Sequence, residues 1–457
     1  MASRYTRSPS VPHRHGRHLL LLAPLALGVR AGAQGSVPAP PAPRETAPAI
    51  AVRIDTLLDL PTVIRRALAA NPAAAQGEAG LRVAHSEVRV ARGEYLPTLS
   101  AGTAALRSDV TTAGTPAGTA GANSYSAGLS SSLDLYTGGR RAADRARAGA
   151  DVQAAVALDV SQRFAVTLLA ERAYFEALRG GDLITVAAAR VTRAQQGLRF
   201  ARDRVRAGTA TRSDELRARL ELTAGQQQLL SACDTLQSAA YALGRLVGAE
   251  GPVGAERPAS LDARPLALGD SEVVRLAVEG APAVRAATAQ ANAADAGVRA
   301  ARSQYLPDLR LTGGYTVANQ SPVIGGARPG WQVAVGTTFP LFNGWQREDA
   351  VVRADAGAEV ARSLAADVRR QARAEAARLV TQLRFAEESI ALASEAVVAA
   401  EEDLRVQTQR YRAGISTALD QLSSELALTQ AELSLVASRY NYQLTRASLE
   451  ALVGRTL

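Results

Sequence analysis

The chain has 457 residues with 52 basic and 43 acidic side chains, for a net charge of +9, and every basic one is Arg. There is no Lys, the only Met is Met1, the only Cys is Cys233, and the four His are His13, His15, His18 and His85. This inventory excludes a P-loop lysine, Schiff-base chemistry, an intrachain disulfide scaffold and a Cys/His metal cage within one chain.

Residues 1–33 read as a secretory signal peptide. Arg4, Arg7, Arg14 and Arg17 form a basic start, Leu19 to Val29 is a short apolar run, and Ala31-Gly32-Ala33 fits a cleavage site. A transmembrane anchor is the weaker reading, because eleven residues cannot span a bilayer. No Cys follows the cleavage site, so no lipid anchor is expected. Removing the segment takes away five Arg and no acid, leaving +4. The basicity thus belongs largely to the signal, and nucleic acid is not an expected partner. Residues 34–54 follow as a Pro/Ala-rich linker. No later segment reads as a membrane helix.

The remainder is an internal repeat. Tyr95-Leu96-Pro97 recurs as Tyr305-Leu306-Pro307, and Asn71-Pro72 aligns with Ala281-Pro282, at an offset of 210. At an offset of 206, Leu135-Tyr136-Thr137-Gly138 aligns with Leu341-Phe342-Asn343-Gly344, and Arg206-Ala207-Gly208 with Arg412-Ala413-Gly414. The expected division is 55–256 and 257–457.

Each half reads as helix, two strands and a helical hairpin. A first helix is expected over 55–93, and its counterpart over 271–303. Long Pro-free arms follow at 139–206 and 345–412, each about 100 Å at 1.5 Å per residue. They stop at Gly208 and Gly414. Thr211 with Asp214, and Thr417 with Asp420, are capping-box pairs that open return arms at 213–247 and 419–453. A return arm stacked on a first helix matches one long arm, as a tube wall requires.

Strands are expected at 98–106, 124–135, 308–318 and 330–342, joined by loops at 107–123 and 319–329. In the last strand Trp331, Val333, Val335, Thr337, Phe339 and Leu341 share one face, opposite Gln332, Ala334, Gly336 and Thr338. Apolar and small polar faces in strands of about ten residues suit a membrane β-barrel, with Tyr125, Tyr136, Tyr315, Trp331, Phe339, Phe342 and Trp345 as an aromatic girdle. A soluble β-domain with one buried face fits the same pattern. Four strands cannot close a barrel and an open edge in lipid is not viable, so the membrane reading demands oligomerisation. Three copies give twelve strands.

The order, spacing and duplication of these motifs resemble the TolC-like outer-membrane efflux proteins across the chain after the linker. The resemblance implies a mostly α fold with membrane β: a homotrimer whose helical hairpins form an α-barrel continuous with a 12-stranded β-barrel. It implies outer-membrane lipid around the barrel, and as partners a periplasmic adaptor and an inner-membrane transporter. Helix–strand junctions fall at Pro97 and Pro307. A gate at the periplasmic tips would place Asp420 in a constriction ring, with the second acidic position on Ser423. Asp214 and Tyr411 match partners in a lock between hairpins, whose expected Arg falls on Ser416. The tips around Arg206, Gly208, Arg412 and Gly414 match the adaptor-docking surface. Capping alone remains a plainer reading of Asp214 and Asp420.

Other residues read as structural. His85 is expected on a helix surface or in packing, and Cys233 as a small packing residue. Residues 325–330 (GGARPG) read as a loop, and the Arg/Glu/Asp runs at 347–355 and 369–375 as solvated helix faces. The expected function is a passive export duct with no catalysis, cofactor or metal. Type I protein secretion is the alternative within transport. A structural trimeric coiled-coil envelope protein is the alternative outside it.

Overall fold

The computed structural model describes residues 54, 56–108, 122–259, 261, 263, 265–319 and 326–457. The signal, nearly all of the linker and much of both strand-connecting loops lie outside these. In chain order the elements are β1 (Leu57–Leu58), α1 (Leu60–Ala70), α2 (Pro72–Gly93), β2 (Thr98–Ser108), β3 (Ala122–Thr137), α3 (Arg140–Arg206), α4 (Arg212–Leu246) and β4 (Gly254–Ala255). They continue as α5 (Asp270–Gly280), α6 (Pro282–Ser303), β5 (Asp308–Asn319), β6 (Arg328–Thr338), α7 (Gln346–Arg412) and α8 (Ala418–Val453). The order helix, helix, strand, strand, long helix, return helix therefore occurs twice.

The first helix of each half is broken rather than continuous. Pro72 and Pro282 occupy the first turns of α2 and α6, and the residues before them are extended, Asn71 at ψ 127° and Ala281 at ψ 137°. A proline ring excludes the preceding residue from helical backbone, so each expected helix splits there. The Asn71 side chain caps α2 by accepting from Ala73 N at 2.9 Å. The short parallel pair of β1 with β4 was not expected from the sequence.

The long helices α3 and α7 have 67 residues each. On one side α3 packs against α2 and α4, and on the other against α6 and α8; α7 packs against α6 and α8. Small residues allow these close approaches. A Cβ on Gly180 would stand 2.9 Å from the Leu236 Cα of α4, and α6 buries Ala286, Ala289, Ala291, Ala293 and Ala296. Contrary to expectation, α3 includes a stretch long and apolar enough, by composition, to cross a membrane.

Two cores lock the middle of the wall. Around α1 and β4, Val63, Val166, Tyr174, Phe175, Leu243, Val253 and Tyr440 are buried together. Around α5, Val273, Leu379, Leu383, Tyr442 and Leu449 form the second. Tyr440 belongs to α8 yet packs in the first core, so the halves are not independent.

The sheet has the order β2-β3-β5-β6, antiparallel throughout. β6 ends at Thr338 rather than continuing to 342, since Pro340 has no N–H for a ladder. Arg328 and Pro329, expected in a loop, are in β6.

Candidate functional site

The two faces of the sheet have opposite chemistry. Register places Tyr315 beside Trp331, Leu311 beside Val335 and Leu129 beside Tyr315 on one face. No other part of the described chain covers it: Trp331 is 79% exposed and Val333 65%. This exposure contradicts a soluble β-domain with a buried apolar face. The opposite face is a polar trough lined by Thr98, Ser100, Ser126, Ser130, Thr312 and Gln332. Hydroxyl pairs cross it, Ser100 with Ser130 at 2.7 Å and Thr98 with Ser132 at 2.8 Å. Arg310 donates to Asp134 at 2.6 Å. Aromatics border the exposed apolar face at both ends, Tyr125, Tyr315 and Trp331 at one and Tyr136, Phe339, Phe342 and Trp345 at the other. From Trp331 to Phe339 is roughly 27 Å at about 3.4 Å per residue, close to the apolar band of an outer-membrane barrel.

The junctions carry a device the sequence did not reveal. Pro97 and Pro307 are exposed and separate α2 from β2 and α6 from β5. Behind them, Arg141 lies over the Tyr95 ring at 4.5 Å and donates to the carbonyls of Glu94 (3.1 Å) and Leu135 (3.0 Å). Arg347 repeats this over Tyr305 at 5.0 Å, donating to Pro340 O (2.7 Å) and Leu341 O (3.2 Å). Arg347 is 8% exposed, so the reading of 347–355 as a solvated face fails at its first residue. The alignment at offset 206 pairs Arg141 with Arg347, and that was the available signal.

At the other end of the helices, both hairpins turn in the same way. Gly208 (φ 73°) and Gly414 (φ 76°) are left-handed, where a Cβ would be strained. Thr209 N donates to Arg204 O and Ile415 N to Arg410 O, each at 2.9 Å, closing the ends of α3 and α7. Thr211 with Asp214, and Thr417 with Asp420, form complete capping boxes. The Thr211 and Thr417 amides and hydroxyls donate to these carboxylates and hold both below the usual Asp range. Both Asp therefore stay ionised, and both do the capping that the plainer reading assigns them.

Asp420 is exposed on the first turn of α8 and Ser423 on the second, with the Ser423 hydroxyl donating to Asp420 O at 2.8 Å. Tyr411 is 5% exposed at the end of α7. Its ring stands against Phe200 at 5.4 Å and under the Arg204 guanidinium at 4.8 Å. Tyr411 and Asp214 line one small cavity of about 50 Å³ with Glu221, Gln421 and Glu425. The contacts of Tyr411 there are with α3, whereas Asp214 bonds to Thr211. Arg206 is exposed and paired with Asp203 at 3.0 Å; Arg412 and the two tip glycines are also exposed.

Charged residues not singled out in the sequence bridge the hairpins above the tips. Arg193 of α3 reaches Glu432 at 3.0 Å and Thr429 at 3.4 Å on α8. Arg190 holds Glu221 at 2.7 Å within the first hairpin. Burial, then the nearby Glu221, push the Glu425 carboxyl above the usual range, against the opposing pull of Arg193 and Arg190. His85 is exposed, and no His/Cys/Asp/Glu group able to hold a metal occurs among the described residues.

Comparison with known proteins places this architecture. A family described as "Outer membrane efflux protein" matches residues 63–249 and 273–455. Protein CyaE of Bordetella pertussis is 29% identical over 406 residues, 82% of each chain. The cobalt-zinc-cadmium resistance protein CzcC of Cupriavidus metallidurans is 30% identical over 173 residues, 37% of this chain and 39% of that protein. The crystal structure of the outer membrane protein VceC from Vibrio cholerae superposes with a TM-score of 0.76 at 22% identity, covering 87% of this chain and 96% of VceC. Other solved structures of this fold include CusC, described by its transmembrane channel formation, and the CmeC outer membrane channel of Campylobacter jejuni, each with a TM-score of 0.76. With both repeats matched across most of the chain, this protein belongs to the outer membrane efflux protein family.

Proposed function

We propose that the chain is the subunit of a passive trimeric export duct. The observation that carries this reading is the four-stranded sheet with an exposed apolar face, a polar trough and two edges, β2 and β6, without a strand partner among the described residues. Unpaired backbone edges are not tolerated in lipid, so copies must join edge to edge. Three copies supply twelve strands, enough to close a barrel. The same symmetry gathers the helical walls into a periplasmic tunnel, open along one continuous lumen.

In this reading the exposed tips around Arg206, Gly208, Arg412 and Gly414 meet a periplasmic adaptor. An inner-membrane transporter supplies the energy and selects the cargo. Three ionised Asp420 side chains at the narrow end favour cations, with Ser423 diluting the ring. Asp214 and Tyr411 act where neighbouring hairpins meet.

Purified protein is expected to run as a heat-resistant trimer and to conduct in planar bilayers with cation preference. Asp420→Asn removes the charge while keeping a capping side chain, and is expected to reduce that preference. A monomer without conductance would overturn the duct; unchanged selectivity in a conducting Asp420→Asn channel would remove the ring.

A further inference from the structure

The polar trough of the sheet ends in charge on the side nearest the helices. Two residues beyond the Ser132–Thr312 pair, register sets Asp134 of β3 beside Arg310 of β5, with Gly336 of β6 on the far side of Arg310. Side chains alternate between the faces of a strand, so Asp134 and Arg310 share the face of Ser130, Ser132, Thr312 and Gln332, away from the apolar one. Arg310 donates to one Asp134 oxygen at 2.6 Å, and the other oxygen lies 3.7 Å from Arg140 at the start of α3. The space beside the guanidinium is open, since a Cβ on Gly336 would meet nothing within 4 Å. The Arg310 side chain is 60% exposed, against 25% for Asp134. Asp308, two residues along β5, shares that face and is also exposed.

The internal repeat shows that the sheet does not need these charges to form. At the offset of 210, Asp308 and Arg310 correspond to Thr98 and Ser100, whose hydroxyls pair with those of Ser132 and Ser130. One position in the fold is therefore filled once by neutral hydroxyl pairs and once by an ion pair. Exposed ion pairs add little stability, so the effect of the charges is sought in the space they face. A β-bulge falls between Asp134 and Tyr136, and bulges re-aim the side chains next to them.

We infer that Arg310 is a specificity-determining residue of the duct: by pairing with Asp134 it sets the ion preference at the base of the barrel, where three copies form a ring of carboxylate–guanidinium pairs. The inference rests on the trimeric-duct reading, in which the trough faces the lumen. This ring is distinct from Asp420, because α7 separates the two by roughly 100 Å at 1.5 Å per residue. Charges act over about 10 Å at 0.1 M salt and about 3 Å at 1 M, so the ring acts on permeating ions in dilute salt.

Ion preference is read from the reversal potential of trimers in planar bilayers under a KCl gradient. The variants are made in the Asp420→Asn channel, so that no ionised Asp420 contributes; wild type serves as parent if that channel does not conduct. Arg310→Gln leaves Asp134 with only the more distant Arg140, and Asp308 without a cation beside it on its strand. It is expected to raise the cation-to-anion permeability ratio at least about twofold near 0.1 M salt, and Asp134→Asn to lower it by a similar factor. The double variant removes one charge of each sign and is expected to return to the parent ratio, which a merely structural pair would not do. All four ratios converge at 1 M salt. Conducting single variants that shift in the same direction, or not at all, overturn the inference. A wild type that never conducts overturns the duct instead. If Arg310→Gln fails to assemble, Asp134→Asn decides: a conducting Asp134→Asn trimer with the parent ratio overturns the inference.

Discussion

Arg141 lies over the ring of Tyr95 and donates to the backbone carbonyl of Glu94, 47 residues earlier in the chain. Arg347 and Tyr305 repeat the arrangement in the second half. Each pair fastens the start of a long helix to the end of the helix before the strands, where a helical wall changes into a sheet. The last strand residues of one pair and the junction turn are held by the same planar fork, which a point charge cannot reproduce.

Arg347→Ala is expected to leave the carbonyls of Pro340 and Leu341 without their donor and to cost about 2–3 kcal/mol. Arg347→Lys recovers only part, since an ammonium cannot serve both carbonyls and the ring in one plane. Circular-dichroism melts of detergent-purified protein rank the three. Equal melting of Arg347→Ala and wild type would show the fork to be dispensable.

Glu171 predicts a pH dependence. Burial, reinforced by Glu450, pushes its carboxyl up to about 7 from an ordinary value of 4.5. Glu450 is itself engaged by Arg446 and by the Leu457 amide, each at 3.2 Å. Between those values the folded chain holds a proton that the unfolded chain has released. The contribution of this site is therefore most favourable below pH 4.5, declines as pH rises to about 7, and is level above. Glu171→Gln abolishes the dependence and is expected to be more stable than wild type at pH 8 by up to about 3 kcal/mol. Denaturant melts at pH 5 and pH 8 test this; an equal gain at both would exclude titration as the cause.

Gly180 and Gly181 are adjacent and predict opposite outcomes. A Cβ on Gly180 meets the Leu236 backbone at 2.9 Å, whereas one on Gly181 meets nothing within 4 Å. Gly180→Ala is expected to lose about 1–3 kcal/mol by forcing α3 from α4. Gly181→Ala is expected to gain up to about 1 kcal/mol from helix propensity. Thermal melts of the two variants in the same detergent would refute the packing argument if they moved together.

Val333 lies between the aromatic borders on the exposed apolar face, 65% exposed. Val333→Arg is expected to cost about 2–4 kcal/mol if this face meets lipid near the midplane. Gln332→Arg, on the trough face, is expected to leave the barrel intact and alter conductance. Comparing trimer yield in outer-membrane fractions distinguishes the faces, and equal loss for both would reject the assignment.

Much of the architecture was legible because it follows from local periodicity and local chemistry. The Pro-free arms, the glycine stops at Gly208 and Gly414 and the Thr-x-x-Asp caps act within a few residues of themselves, so sequence spacing is enough to place them. The alternating strands exposed their two faces in the same way. The breaks before Pro72 and Pro282 were also local, and the proline rule could have found them. Tertiary structure decided what depends on elements far apart in the chain. It turned Arg347 from a surface residue into a junction fork, made Gly180 indispensable beside a dispensable Gly181, and brought Arg204 to Tyr411 across 207 residues. An arginine's charge is written in the sequence, but its partner is set by how the helices cross, because a long flexible side chain bonds whichever carbonyl, carboxylate or ring packing places within reach.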